Sequence, residues 1–484
     1  MNYKMIGRFF ALILAVEAVF MIPALAISVA DGTTVTTRAF LISIAVTLLL
    51  SALLALLSRG AKQIFFAKEG LFCVGVSWIL MSVMGCLPFY LSGEIPRFID
   101  ALFEMVSGFT TTGSSVVSDV EALSRAILYW RSFSHWLGGM GVLVFLLAIV
   151  PVSGKNEGFT MHLLRAESPG PNVGKLVPKM RQTATVLYLT YLALTLINFL
   201  FLLAGEMSWF EALCTAFGTA GTGGFGVRND SLASYSPYIQ NVTSVFMLLF
   251  GVNFGCYYLL LLRQFREVFR DEELRLFGGI VLGSVLLIAL NIRGLYATVW
   301  DALRHSLFQV SSIITTTGFA TTDFDLWPSF SKGILLFLMM IGACAGSTGG
   351  GLKCARVLLL LKNLRRSLAQ VLAPQKVQVI RVNQKPVDEK IAASTNTYLC
   401  AYTVILVVSF LLISIDGFSV MTNFSAVLSC FNNIGPGLES VGPLCNFSVF
   451  SPLSKLVLIL DMLAGRLEIF PILILFSSKA WKRN

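Results

Sequence analysis

The piece Thr110-Thr111-Thr112-Gly113 returns far down the chain as Thr315-Thr316-Thr317-Gly318. Gly221-Thr222-Gly223-Gly224 lies between them, and Asn432-Asn433-Ile434-Gly435 follows. The four pieces stand roughly 95 to 117 residues apart. Each follows a half-apolar stretch too short to cross a bilayer, and each is flanked by apolar runs long enough to cross one. Irregular backbone at membrane depth is tolerated only where it is buried in protein or lines a water-filled cavity. Four such loops at a regular period point to an all-α polytopic membrane protein, with pseudo-fourfold repetition around a pore.

Composition agrees. Of 484 residues, 56% are hydrophobic and 13% charged, roughly half the charged share of a soluble domain. This excludes a soluble enzyme. The nine Cys show no metal spacing; Cys73, Cys86, Cys256, Cys344 and Cys400 fall in apolar segments and read as small core residues. His135, His162 and His305 are too dispersed for a zinc site, and no nucleophile–base pair stands out, so covalent catalysis is not expected. Residues 9–29 are apolar for longer than a signal peptide needs and carry no clear cleavage site, so they read as a retained span.

The net charge of +10 is unevenly placed. Lys4 and Arg8, Arg59 to Lys68, Lys155 to Arg181, Arg263 to Arg275, Lys353 to Lys376, and Lys479 to Arg483 fall in connections assigned to one side. Arg38, Arg97 and Arg125 are among the few on the other. By the positive-inside rule both termini are cytoplasmic, in an inner-membrane, multi-pass chain. No nucleic-acid partner is needed to explain the basic balance.

Taken in order, two leading spans occupy 9–29 and 41–57. Four repeats of helix, pore helix, loop and helix follow. Their outward helices are 71–91, 187–203, 277–290 and 398–415. The pore helices are 99–109, 209–217, 299–314 and 420–431, and the loops 110–115, 218–226, 315–321 and 432–437. The inward helices are 126–150, 242–262, 333–361 and 456–476. The total is about ten transmembrane helices, divided as 1–68, 69–180, 181–272, 273–390 and 391–484. The polar, basic connection 361–390 is either a plain linker or a docking surface for a soluble partner.

Three pore helices open on Asp100, Glu211 and Asp301, each followed by Ala-Leu, and the fourth carries Asn423. Such residues cap helix N-termini, which turns the partially negative C-termini toward the loops and favours a cation there. A dehydrated alkali cation needs several oxygen ligands, which backbone carbonyls can supply. No carboxylate stands at a loop centre, which argues against a divalent site. Each loop has one shared glycine, not two around an aromatic, so weaker K⁺/Na⁺ discrimination is expected. The glycines from Gly342 to Gly351 should unwind the helix they interrupt, as a gate beneath the loops or as a passive kink. That stretch lacks the spacing and the strand of a phosphate loop. Gly138-Gly139-Met140-Gly141 reads as a close helix contact. Arg466 and Glu468 are intramembrane charges, read as an electrostatic barrier or as a structural ion pair.

Ser107 to Gly113, Gln309 to Phe319, Asn432 to Gly437, Ala345 to Lys353 and Ala464 to Glu468 together resemble the Trk/Ktr/HKT superfamily of K⁺ transporters. Arg165 to Pro171, Trp136 to Gly141 and the two leading helices favour its TrkH/TrkG branch over the shorter KtrB. The resemblance implies K⁺ as the transported ion, moved passively or weakly coupled to H⁺ or Na⁺; a Na⁺-permeable or Na⁺-coupled member is the alternative. It implies a K⁺ filter at Thr111, Thr112, Gly221, Thr222, Thr316, Thr317, Asn433 and Ile434, with Gly113, Gly223, Gly318 and Gly435 as filter glycines. It implies a gating element at Gly346, Ser347, Thr348, Gly349, Gly350, Gly351 and Lys353, with Arg466 beside the path. It further implies a homodimer and a TrkA-like cytoplasmic partner that binds NAD or ATP, while this chain binds no nucleotide. Two departures bear on selectivity: Gly221-Thr222, where a more apolar pair is expected, and the full Thr triplet at 315–317.

Overall fold

The computed structural model describes residues 2–60, 67–141, 180–373 and 378–475. The second half of the inward helix expected at 126–150, the stretch Arg165 to Pro171 and the basic tail from Lys479 lie outside them.

The described chain is mostly helical, with several longer loops between helices and one small hairpin, Arg381–Val382 with Lys385–Pro386. Among the described residues, six helices are long and apolar enough to cross a membrane, or seven if one bent pair counts as a single span. They are Tyr3–Ala30, Thr34–Leu57, Glu69–Leu91, Thr185–Ala204, Glu272–Ile292 and Glu389–Asp416. These are the two leading spans and the outward helix of each repeat. Their outward-facing residues stay apolar: Leu200, Leu286, Leu290 and Leu411 are all exposed.

The second, third and fourth inward helices are broken, and the first is described only as far as residue 141. The first, Arg125–Gly139, ends at Met140 and a left-handed Gly141. The second consists of Pro237–Gly251 and Phe254–Leu261, bent by 90°. The third stops at Ile341 and resumes at Cys354. The fourth is Pro452–Arg466 and Phe470–Leu475. Local chemistry accounts for the ends. Proline at the first helical turn with a serine cap starts Pro237–Gly251 (Ser236) and Pro452–Arg466 (Ser451). Residues with positive φ stand at the third and fourth breaks, Gly342 at φ 75°, Lys353 at 73° and Glu468 at 56°, whereas an extended Val252 ends the first half of the second. Sequence alone pointed to a break only in the third, where glycines recur from Gly342 to Gly351; the shorter cluster Gly138 to Gly141 in the first read as a close helix contact.

The largest buried apolar cluster joins the leading helices to the first and fourth repeats, through Ile13, Phe40, Trp78, Phe109, Trp130 and Phe431. A second belongs to the third repeat, through Phe277, Ile288, Ile314 and Leu338. Between these cores, four short helices converge on the centre.

Candidate ion-conducting site

The converging helices are Phe98–Phe109, Trp209–Gly221, Val299–Ile314 and Val420–Asn432. Hydroxyls cap three of them: Ser208, Thr298 and Ser419 accept from the backbone N–H three residues on. The acids expected to do this stand inside the first turn, at Asp100, Glu211 and Asp301. A cap must precede the helix to reach its free N–H groups. From the first turn the acids instead favour the dipole and pair with cations, with Lys455 at 2.6 Å, Arg228 at 3.1 Å and Arg304 at 2.9 Å. Asn423 donates to Phe418 O at 3.1 Å rather than capping.

All four helices finish the same way. A residue with a side chain adopts a left-handed conformation: Thr111 (φ 55°), Thr222 (53°), Thr316 (59°) and Asn433 (56°). The next N–H turns back to a carbonyl five residues earlier. Thr112 donates to Ser107, Gly223 to Gly218, Thr317 to Ser312 and Ile434 to Ser429, at 2.8–2.9 Å. This is a Schellman closure, which satisfies a carbonyl the helix would otherwise leave open. One residue later comes a left-handed glycine: Gly113 (φ 81°), Gly224 (75°), Gly318 (86°) and Gly435 (105°).

These glycines close a ring. A Cβ added at Gly113 would strike the carbonyl oxygen of Gly223, at Gly224 that of Thr317, and at Gly318 that of Ile434. At Gly435 the nearest atom would be the carbonyl oxygen of Thr112, 2.9 Å away. Each repeat thus presses its glycine on the next repeat's carbonyl, and the fourth returns to the first. The same four glycines line a cavity shared with Ser114, Phe225, Asn229 and Pro436.

The ring sets the register of the second repeat. Thr222, Gly223 and Gly224 are the counterparts of Thr111, Thr112 and Gly113. Gly221 is the last helical residue, and Gly224 rather than Gly223 holds the glycine position. The helix runs to Gly221, past the expected end at residue 217, because Gly218 and Gly221 lie against Phe319 and His135 without opening the turn.

Side chains stiffen the ring from behind. Thr110 Oγ1 lies 2.7 Å from Thr112 Oγ1, and Thr315 Oγ1 2.7 Å from Thr317 Oγ1. Asn433 Nδ2 donates to Thr112 Oγ1 at 2.9 Å and to Met462 O at 2.9 Å, tying the fourth repeat to the first.

The glycine loop between Ile341 and Cys354 lies directly under the ring. Gly350 N–H donates to Thr316 Oγ1 at 2.7 Å. A Cβ at Gly349 would meet Thr315 O at 3.0 Å, and one at Gly350 would meet Asn432 O at 2.6 Å. Cys344 N–H donates to Gly251 O at 3.1 Å, and Phe254 N–H to Gly346 O at 3.0 Å, so the loop packs into the break of the second inward helix. Arg466 reaches the same place. Its guanidinium donates to Thr111 Oγ1 at 3.2 Å, Thr348 O at 2.8 Å, Gly139 O at 2.8 Å and Gly138 O. Glu468 has a different role: it is buried and pairs with Lys353 at 3.1 Å and with Arg356. Gly138 packs where a side chain would strike Phe109 O, as the close-contact reading expected.

A buried pair went unnoticed in the sequence. Arg131 Nη2 and Glu104 Oε1 stand 2.6 Å apart, almost wholly buried. Glu104 also accepts from Val116 N–H at 2.9 Å, just past the first loop. Two intramembrane charges were the available signal.

The family model TrkH, described as cation transport protein, matches residues 36–483. The chain belongs to the TrkH family. It is 35% identical over 491 residues to the Trk system potassium uptake protein TrkH of Escherichia coli strain K12, covering 100% of both chains. The TrkH of Salmonella typhimurium is 36% identical over 452 residues, 92% of each. The TrkG of E. coli is 34% identical over 421 residues, 86% of each. The crystal structure of the potassium transporter TrkH from Vibrio parahaemolyticus superposes with a TM-score of 0.88, at 32% identity and 100% coverage of both chains. These TrkH-family names describe transport and not catalysis.

Proposed function

We propose that this chain takes up K⁺ across the bacterial inner membrane through the ring of four loops. The observation that carries the proposal is that ring: four carbonyls, of Thr112, Gly223, Thr317 and Ile434, each packed against a left-handed glycine of the neighbouring repeat. Such carbonyls can replace the water of an alkali cation, and the pore-helix C-termini add favourable potential. The filter we propose comprises Thr111, Thr112, Thr222, Gly223, Thr316, Thr317, Asn433 and Ile434, with Gly113, Gly224, Gly318 and Gly435. Each of the five segments 1–68, 69–180, 181–272, 273–390 and 391–484 is one unit of this plan.

The glycine loop Gly346–Gly351 with Lys353 is the proposed gate, and Arg466 is the barrier beneath the filter. The bond from Gly350 N–H to Thr316 Oγ1 supports this, because it ties the loop to a filter residue. Lifting the loop out of the second-helix break opens the path. A cytoplasmic nucleotide-binding subunit drives that motion in a homodimer whose termini are cytoplasmic; the basic connections support this orientation.

Complementation of a K⁺-uptake-deficient bacterium at limiting K⁺, with and without a TrkA-like regulatory subunit, tests the proposal. Growth is expected with the wild type and lost with Gly113→Ser and Gly318→Ser. Failure of a well-expressed wild type, with tracer Na⁺ flux in its place, would replace K⁺ by Na⁺ as the substrate.

A further inference from the structure

The second repeat differs from the others in one respect. Thr112, Thr317 and Ile434 carry side chains behind the ring, but their counterpart is Gly223. A Cβ built there falls inside the imidazole of His135. His135 lies on the first inward helix, Arg125–Gly139, and is fully buried. Nδ1 stands 2.8 Å from Gly108 O, near the end of the first pore helix. Nε2 accepts from Phe225 N–H at 3.3 Å, just past Gly224. A carbonyl on one nitrogen and an N–H on the other fix a neutral, Nδ1-protonated ring. Phe225 also packs on this ring, with centroids 4.2 Å apart, and the Arg131 guanidinium lies over the Phe225 ring at 4.2 Å. The backbone of His135 fills the space of a side chain at Gly221.

We propose that His135 is a positioning residue for ion selectivity. Its ring stands in for the side chain that Gly223 lacks and holds the second-repeat carbonyl at the radius set by the other three. This rests on the filter proposed above. Without the ring, the Gly223 segment has neither its hydrogen bond through Phe225 nor a packed rear face. The carbonyl can then relax outward and toward solvent-like geometry, which favours Na⁺ relative to K⁺.

The test is K⁺ and Na⁺ tracer flux in proteoliposomes of the full chain. The variants are His135→Ala, Gly223→Ala and the double variant, with Gly318→Ser as the filter control. His135→Ala is expected to lower the K⁺:Na⁺ flux ratio by roughly tenfold, the worth of about one lost hydrogen bond at a ligand-positioning group. Gly223→Ala should lower it similarly, because the new methyl displaces the ring. The double variant should recover part of the ratio, since the methyl then occupies the vacated space. A purely structural role predicts additive losses and no recovery. An unchanged ratio in folded His135→Ala, beside a changed one in Gly318→Ser, overturns the proposal and leaves the filter standing. An unchanged ratio in both overturns the filter and this inference together. If His135→Ala does not fold, Gly223→Ala decides: a lowered ratio supports the brace, and a wild-type ratio overturns it.

Discussion

Alanine at each ring glycine should damage selectivity in a fixed order. At Gly113, Gly224 and Gly318 the added Cβ lies well under 3.0 Å from the next repeat's carbonyl oxygen. That oxygen must retreat by about 1 Å to reach even a tight contact. At Gly435 the distance is already 2.9 Å, so the backbone there must shift by far less than at the other three. All four also hold φ between 75° and 105°, which a side chain adopts at a cost of about 1–3 kcal/mol. The first three variants therefore carry both penalties, and Gly435→Ala carries mainly the second. Since about 1.4 kcal/mol is tenfold, the K⁺:Na⁺ flux ratio should fall at least tenfold in Gly113→Ala, Gly224→Ala and Gly318→Ala. It should fall less in Gly435→Ala. The assay is paired K⁺ and Na⁺ tracer uptake into proteoliposomes at matched protein density. A wild-type ratio in Gly113→Ala, or a larger loss in Gly435→Ala than in the other three, would refute the ring as the selective element.

Arg466→Ala removes four donated bonds and a positive charge beside Thr111 and Thr348. Basal K⁺ flux without a regulatory subunit should rise about tenfold or more, and unchanged flux would remove Arg466 from the path. Glu468→Gln leaves Lys353 and Arg356 without their buried carboxylate. It should lower stability by about 3–5 kcal/mol, seen as a drop in the detergent melting temperature; an unshifted melt counts against the ion triad. Outside the membrane, the Ser419 hydroxyl, with that of Thr422, holds the Glu439 carboxyl below its ordinary range. Its stabilisation is therefore complete at neutral pH and lost only as pH falls through that lowered value. The melting difference between wild type and Glu439→Gln should persist in mild acid and close only in stronger acid.

The parts of this fold legible in the sequence are those with a strong period or a repeated motif. Apolar runs placed the leading and outward helices, and the third pore helix was read at its observed bounds, Val299–Ile314. Apart from the glycine-marked third, the inward helices were legible only as continuous runs, because a pair of left-handed residues such as Glu468 and Ile469 breaks a helix without marking its composition. The capping hydroxyls were overlooked because acids one turn later give the louder signal. The second loop shows best what sequence lacks. Gly221, Gly223 and Gly224 are chemically equal on paper, and matching Gly221-Thr222-Gly223 to Thr111-Thr112-Gly113 is the natural choice. What separates them is an imidazole from another repeat. His135 occupies the space behind Gly223 and its backbone the space beside Gly221, while Gly224 alone turns left-handed against Thr317 O. A glycine required by its own φ and a glycine required by a neighbour's side chain have the same letter. Only the packing of the first repeat against the second tells which one sits at the selective position.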